Sequence, residues 1–333
     1  MTKRIIALVL ALMMTAAVVA GCSGSTSTAT ADEANAADTA KTYNIGICQL
    51  VQHVALDAAT QGFKDYLTEQ LGDAVTFNEQ NAQGDSATCT TIANQFVADN
   101  VDLILGNATP ALQAAFTATA DIPVLGTSIT DYGTALDIAD WTGVSGFNVS
   151  GTSDLAPLDG QAEILNELFP DAKTVGLLYC SAEPNSKYQC DTISGYLEGY
   201  GYELKTYTFS DSNDIAAVVT SACEEVDVIY IPTDNSAASN TGIIDNIALE
   251  KKIPIITGEE GICSGCGVAT LSIDYYDLGY TTGKMAYDIL VNGADVSAME
   301  VQFAAATTKK YDAARAAAFD LEIPEDYVAI ETE

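Results

Sequence analysis

Three strand-like segments occur in order and then occur again in the same order. Tyr43-Asn-Ile-Gly-Ile-Cys48 is answered by Thr174-Val-Gly-Leu-Leu-Tyr179, and Asn100-Val-Asp-Leu-Ile-Leu105 by Glu225-Val-Asp-Val-Ile-Tyr230. Asp121-Ile-Pro-Val-Leu125 is answered by Lys252-Ile-Pro-Ile-Ile256. The matching glycines, aspartates and prolines stand 130, 125 and 131 residues apart. Similar segments at a nearly fixed offset point to two copies of one structural unit. Each segment is a short continuous apolar run, as expected of strands buried on both faces of a parallel sheet.

Between the strands lie stretches with apolar residues at helical spacing. In the first half these are Leu56 to Leu71, Ser86 to Asp99 and Thr109 to Ala120. In the second they are Asn185 to Tyr200, Asp211 to Glu224 and Asn235 to Glu250. Strand–helix–strand alternation predicts right-handed βαβ units. The expected fold is α/β, with two doubly wound Rossmann-like lobes. A further helix, Tyr275 to Val291, is expected to pack back on the first lobe, and Glu300 to Ala305 to return as a strand. The chain then crosses between lobes three times, through three hinge strands. Residues 43–149 with 274–298 form the first lobe in this reading, and 150–273 with 299–333 the second.

The N-terminus is of another kind. Lys3 and Arg4 precede an apolar run, Ile5 to Ala20, that ends in Val19-Ala20-Gly21-Cys22. A basic start, a short apolar core and small residues before a cysteine make a secretory signal. The last four residues look like a bacterial lipobox, in which Cys22 carries the lipid. Residues 1–22 are therefore read as signal, and 23–42, rich in Ser, Thr, Ala and Asp, as a flexible tether. The expected location is extracytoplasmic, on the outer face of the cell membrane, held by the lipid alone.

The charge balance excludes other roles. Asp and Glu number 46 against 13 Lys and Arg, a formal net charge of −33. Nucleic-acid binding needs a basic surface to displace counterions, so it is not expected. Eight cysteines include a Cys263-Ser-Gly-Cys266 pair, but no second CxxC, and His53 is the single histidine. No metal site is expected, and the CxxC is read as a local disulfide or two plain thiols. A Walker A loop, a G-x-G-x-x-G turn and a G-x-S-x-G elbow are absent, so neither a cofactor nor an enzyme activity is predicted.

Open parallel sheets bind ligands beyond the carboxyl ends of their strands. In two facing lobes, those ends border a cleft suited to a small molecule. After the first strand come Gln49, His53, Leu56 and Asp57. Later come Thr109, read as an N-cap before Pro110, and then Ser128. The second lobe offers Ser181, Glu183, Asn185, Ser186, Thr233, Asp234, Asn235, Glu259 and Glu260. Helix starts at Thr109, Ser186 and Asn235 suit a carboxylate, or are caps only. Asp234, Glu259, Glu260, Asp274 and Asp154 suit an ammonium. Together they match a zwitterion.

At these residues the chain resembles the ABC transporter substrate-binding proteins of the TrpX-like group, built on the type I periplasmic-binding-protein fold. The resemblance rests on Gln49-Leu-Val-Gln-His-Val-Ala-Leu-Asp57, Asn81-Ala-Gln-Gly-Asp85, Ala108-Thr-Pro110 and Ser150-Gly-Thr-Ser-Asp154. It continues through Leu178-Tyr-Cys-Ser-Ala-Glu-Pro-Asn-Ser186, Pro232-Thr-Asp-Asn235, Gly258-Glu-Glu-Gly261 and Ile273-Asp-Tyr-Tyr-Asp-Leu-Gly279. It implies a monomeric receptor that closes on its solute and delivers it to permease subunits with a cytoplasmic ATPase. The solute expected is an amino acid, with aromatic ones among the family's ligands. A sugar or nucleoside receptor, or a sensory subunit of the same fold, are the alternatives. Thr130-Asp-Tyr132, Tyr179-Cys-Ser-Ala182 and Gly261-Ile-Cys-Ser-Gly-Cys266 depart from the family pattern beside the cleft. On this reading Thr109, Ser128, Ser181, Asn185 and Ser186 take the carboxylate. Asp234, with Glu260 or Asp274, takes the amine.

Overall fold

The computed structural model describes residues 41–331. The signal segment, Cys22 and almost all of the tether lie outside the described residues. Among the described residues no helix is long and apolar enough to cross a membrane.

The first half alternates β1 (Tyr43–Gln49), α1 (Val54–Leu71), β2 (Val75–Asn81), α2 (Ser86–Ala98), β3 (Leu103–Asn107), α3 (Thr109–Ala118), β4 (Val124–Ile129), α4 (Tyr132–Leu136) and β5 (Val149–Ser153). The second half repeats the scheme. It has α5 (Leu158–Leu168), β6 (Thr174–Cys180), α6 (Pro184–Tyr200), β7 (Glu203–Phe209), α7 (Ile215–Cys223), β8 (Val228–Ile231) and α8 (Asn235–Ala238). It continues with α9 (Thr241–Lys251), β9 (Ile255–Thr257), α10 (Glu260–Cys266) and β10 (Ala269–Ser272). The chain ends through α11 (Tyr275–Leu290), β11 (Gln302–Phe303), β12 (Thr308–Tyr311), α12 (Ala313–Ala318) and β13 (Val328–Ala329).

One sheet runs β11-β5-β4-β3-β1-β2 and the other β13-β12-β10-β9-β8-β6-β7. Matching β1 to β6 and so on through β5 to β10 gives the same strand order in both lobes. All pairings are parallel except β10 with β12. Side chains alternate between two helix layers, as the pleat requires. Ile45, Ile47, Leu103 and Leu105 face one apolar cluster, whereas Cys48 and Ile104 face the other. In the second lobe Val175, Leu177 and Tyr230 oppose Leu178, Ile229 and Ile231 in the same way.

The repeated segments repeat a bonding pattern. Asp102 accepts from the backbone N–H of Asn44 at 2.8 Å, and Asp227 from Lys173 and Thr174 at 2.8 and 2.9 Å. The Pro123 and Pro254 carbonyls each accept a 3.0 Å bond, from Ile104 and Ile229. The aspartate thus ties each central strand at its entry. Those backbone bonds hold the Asp227 carboxyl below its ordinary range. Asp227→Ala is expected to lower stability by about 1 kcal/mol, in line with a solvent-accessible charge-assisted bond. Urea denaturation at neutral pH checks this. The gap should close as acid protonates Asp227, because its depressed pKa stabilises only above that range.

Several expectations shift in detail. β5 belongs to the first sheet, so the first crossing follows Ser153 and not residue 149. The other crossings lie between β10 and α11 and between β11 and β12. The strand expected over Glu300 to Ala305 is only Gln302–Phe303, paired with β5. The helix expected over Asn235 to Glu250 breaks after Ala238. There Ser239 and Asn240 turn their side chains onto the Asn235 and Ser236 carbonyls, competing with the helical ladder. Cys263 and Cys266 sit within α10 as buried free thiols, like the other five described cysteines, so the plain-thiol reading of the CxxC holds. Burial pushes the Cys263 and Cys266 thiols up, which keeps them protonated.

Candidate ligand-binding site

The loops after β1, β3 and β4 face those after β6, β8 and β9. Direct hydrogen bonds cross between the lobes at the cleft. His53 Nε2 lies 3.2 Å from Asn235 Oδ1, and Gln189 Nε2 donates to Thr130 Oγ1 at 3.4 Å. A cavity of about 200 Å³ opens at the cleft mouth, bordered by Leu50, Pro110, Cys180, Glu183 and Ser236. A second, of about 260 Å³, is bordered by His53, Val54, Ala238, Ser239 and Gly261.

Many of the carboxylates expected here are already engaged. Asp234 is buried and caps α8, accepting from Ala237 N at 2.7 Å, while its other oxygen accepts from Cys180 N at 2.7 Å. Burial and the neighbouring Glu183 charge push its pKa up. It is therefore a brace between β6 and α8, and not an open amine receptor. Glu183 accepts from the backbone and side chain of both Asn235 and Ser236, at 2.7 to 3.0 Å. That carboxylate occupies the α8 start where a ligand carboxylate was expected. Glu259 caps α10 through Gly261 and Ile262, and burial raises its pKa to about 7. Glu260 pairs with Lys310 at the surface. Asp274 is exposed and caps α11.

The first-lobe residues divide similarly. Gln49 donates to Val51 O and Asp57 at 2.9 and 2.6 Å and accepts from Thr60 at 2.6 Å. Gln49 and Asp57 thus brace the loop that carries His53. Leu56 lies in the apolar core of the lobe, not on the cleft wall. Ala108, with φ of +85°, is the N-cap of α3, and Thr109 and Pro110 are inside the helix. Ser181 turns its hydroxyl to the Phe209 carbonyl on an exposed turn, away from the cleft.

What remains is a set of buried polar atoms with no partner among the described residues. His53 Nδ1, Ser128 Oγ, Asp154 Oδ1 and Asn185 Oδ1 all belong to it. Buried polar groups are nearly always paired, so a run of exceptions along one cleft marks where a ligand's groups belong. Ser128 owes its position to a register shift in β4 between Gly126 and Ile129, and it has a φ of +57°. Such irregularities re-aim side chains beside sites. Asp154 lies at the first crossing. One oxygen accepts from Tyr275 O–H at 3.0 Å, the other meets no donor in good hydrogen-bond geometry among the described residues, and burial raises its pKa to about 6 against the lowering effect of the nearby Tyr275 and Thr130 hydroxyls. Two of these groups sit beside helices whose N-caps make no side-chain bond, α1 at His53 and α6 at Glu183.

A polar chain links these atoms. Gln189 donates to Thr233 O at 3.1 Å and accepts from Thr233 N at 3.0 Å. Asn185 donates to Thr233 O and to Ser186, and Ser186 also bonds Asp234. Sequence reasoning missed Thr130, Gln189 and Tyr275. Gln189 was legible in principle, since it stands one helical turn from Asn185 on the same face. Tyr275 gave no such signal, because only the second crossing, from β10 into α11, brings it to Asp154.

The model of the family described as "ABC transporter substrate binding protein" matches residues 44–329. A tyrosine-binding protein of Clostridioides difficile is 38% identical over 292 residues, covering 87% of this chain and 84% of that protein. A Streptococcus pneumonia ABC domain in complex with L-Trp is 34% identical, with a TM-score of 0.82 over 86% of this chain and 97% of that one. A ligand-free, open substrate binding protein from Clostridium difficile is 38% identical, yet its TM-score is 0.66, over 88% of this chain and all 100% of that one. The better superposition is thus on the liganded relative, in accord with the hydrogen bonds that join the lobes here. More distant solute-binding structures at 14% identity share the two-lobe type I periplasmic-binding-protein fold. The chain is a member of the ABC transporter substrate-binding protein family, whose work is to bind a solute and not to transform it.

Proposed function

We propose that this protein captures an aromatic amino acid between its lobes for import by an ABC permease, and that Cys22 anchors it by lipid outside the cell. The observation that carries the ligand class is the open Asp154 oxygen, buried in the cleft of a chain so similar to tyrosine- and tryptophan-binding relatives. A buried carboxylate without a cationic partner is costly, and a ligand ammonium supplies one. Ser128, whose hydroxyl is buried without a partner among the described residues, receives the carboxylate. Asn185 and Thr233 complete the second-lobe wall. Asp234, Glu259 and Asp274 are helix caps in this scheme, and Glu260 is paired with Lys310. Palmitate labelling lost in Cys22→Ala tests the anchor.

The ligand class is tested by thermal shift and calorimetry on the soluble 23–333 fragment with L-tyrosine, L-tryptophan, L-phenylalanine, L-leucine and galactose. Aromatic amino acids are expected to raise Tm. At a hundredfold excess over Kd, the stabilisation is about 2.7 kcal/mol. A shift with galactose and none with any amino acid would sink the proposal.

A further inference from the structure

The orientation of His53 is set by a relay that starts in the other lobe. Glu183 is an acceptor, and Asn235 Nδ2 donates to it at 2.7 Å. That fixes which end of the Asn235 amide is oxygen, and the oxygen faces His53 Nε2 at 3.2 Å. Two acceptors cannot share a hydrogen bond, so Nε2 carries the proton. In the neutral ring Nδ1 is then an acceptor, and it is buried with no donor among the described residues. Burial holds the imidazole below its ordinary range, which keeps the ring neutral.

His53 also borders a space of ring size. The cavity that His53 borders is about 260 Å³, whereas a cavity of roughly 150 Å³ accommodates benzene. Its wall includes Val54, Ala238 and Gly261 and excludes Asp154. The ammonium and the ring therefore occupy different parts of the cleft.

We infer that His53 Nδ1 selects the ligand side chain by accepting a hydrogen bond from its ring, so that tyrosine or tryptophan is taken in preference to phenylalanine. This rests on the aromatic amino acid reading above. A site that presents a fixed acceptor rejects an analogue without the donor, because the acceptor is left buried and unpaired. The phenol O–H and the indole N–H are both donors, and the phenyl ring has none.

Calorimetric titration of wild type with L-tyrosine, L-phenylalanine and O-methyl-L-tyrosine tests this directly. The methyl ether keeps the oxygen and removes the donor. Tyrosine is expected to bind about tenfold or more tighter than either analogue. In His53→Leu the preference for tyrosine over phenylalanine should be lost, on top of any loss common to both from removing the bond to Asn235. Retained phenylalanine binding also shows that the variant folds. Because His53 is the single histidine of the chain, its ring nitrogen resonances can be read without assignment. The Nδ1 signal should move on adding tyrosine and stay with phenylalanine. Equal wild-type affinities for tyrosine and its methyl ether, or an unchanged preference in His53→Leu, overturn the inference while leaving the aromatic reading intact. No binding of any aromatic amino acid to wild type overturns both.

Discussion

Asp154→Ala is expected to weaken amino acid binding by about ten- to 150-fold, the equivalent of losing one charge-assisted contact of roughly 1.5–3 kcal/mol. Asp234, Glu183 and Glu259 each have both oxygens bonded to protein donors, whereas Asp154 has Oδ1 open. The ionisable groups around it are Tyr275 on α11, Tyr132 on α4 and Glu259 at the start of α10. None of them is cationic, so burial dominates and the empty site takes up a proton near pH 6. An ammonium ligand requires the carboxylate, so affinity should fall by up to about tenfold per pH unit below that point. In Asp154→Asn the affinity should be low and flat with pH. The sign in the empty protein follows from the same shift. The folded carboxyl holds its proton where the unfolded one, near 3.8, has lost it. Its contribution therefore makes the empty protein less stable as pH rises from about 4 to 6. Calorimetry across pH 5 to 8 on wild type and both variants reads these effects, and an Asp154→Ala protein with wild-type affinity would falsify the assignment.

Gly279→Ala is expected to lower stability by about 3 kcal/mol or more, at the upper end of what overpacking costs. Helix propensity argues the other way, since alanine is favoured over glycine by about 1 kcal/mol inside a helix. Steric contact decides. A Cβ at Gly279 on α11 would stand 1.9 Å from the Ala59 carbonyl oxygen on α1, an obstacle that no rotamer change removes. The helix that returns from the second lobe is thus seated backbone to backbone on the first. Gly195→Ala is the control. That glycine lies on the exposed side of α6 with nothing near its Cβ direction, so the substitution should stabilise by a few tenths to about 1 kcal/mol. Thermal unfolding should show the Gly279 variant lower by roughly 6–12 °C and the Gly195 variant level or higher. A Gly279→Ala protein as stable as wild type would mean that α1 and α11 can separate freely.

The recurrence of Val-Asp-Leu-Ile in Val-Asp-Val-Ile, and of Ile-Pro-Val in Ile-Pro-Ile, carried most of the fold. Those residues act locally, on the strand entries and turns to which Asp102, Asp227, Pro123 and Pro254 bond. Local roles leave local patterns, and the two sheets accordingly share a strand order. The cleft was legible as a place, because polar residues after parallel strands have few other positions available. Which of them face a ligand was not legible. Glu183, Asp234 and Glu259 look from the sequence like free carboxylates, but each is taken by N–H groups at the start of a following helix. Ser181 looks like part of the receptor, but the edge strand β7 draws its hydroxyl outward.

By itself, then, the sequence determined two copies of one α/β unit, an acidic exterior, and the edge on which any ligand must lie. Tertiary structure alone decided the occupancy of each polar group. A hydrogen-bonding atom is open or closed according to what stands within about 3 Å of it. For His53, Asp154 and Asn185 those neighbours come from the other lobe or from distant parts of the chain. His53 meets Asn235, 182 residues away, and Asp154 meets Tyr275, 121 residues away. No window of sequence contains both members of such a pair, so only the crossing of the chain between lobes could leave Asp154 open and Asp234 closed.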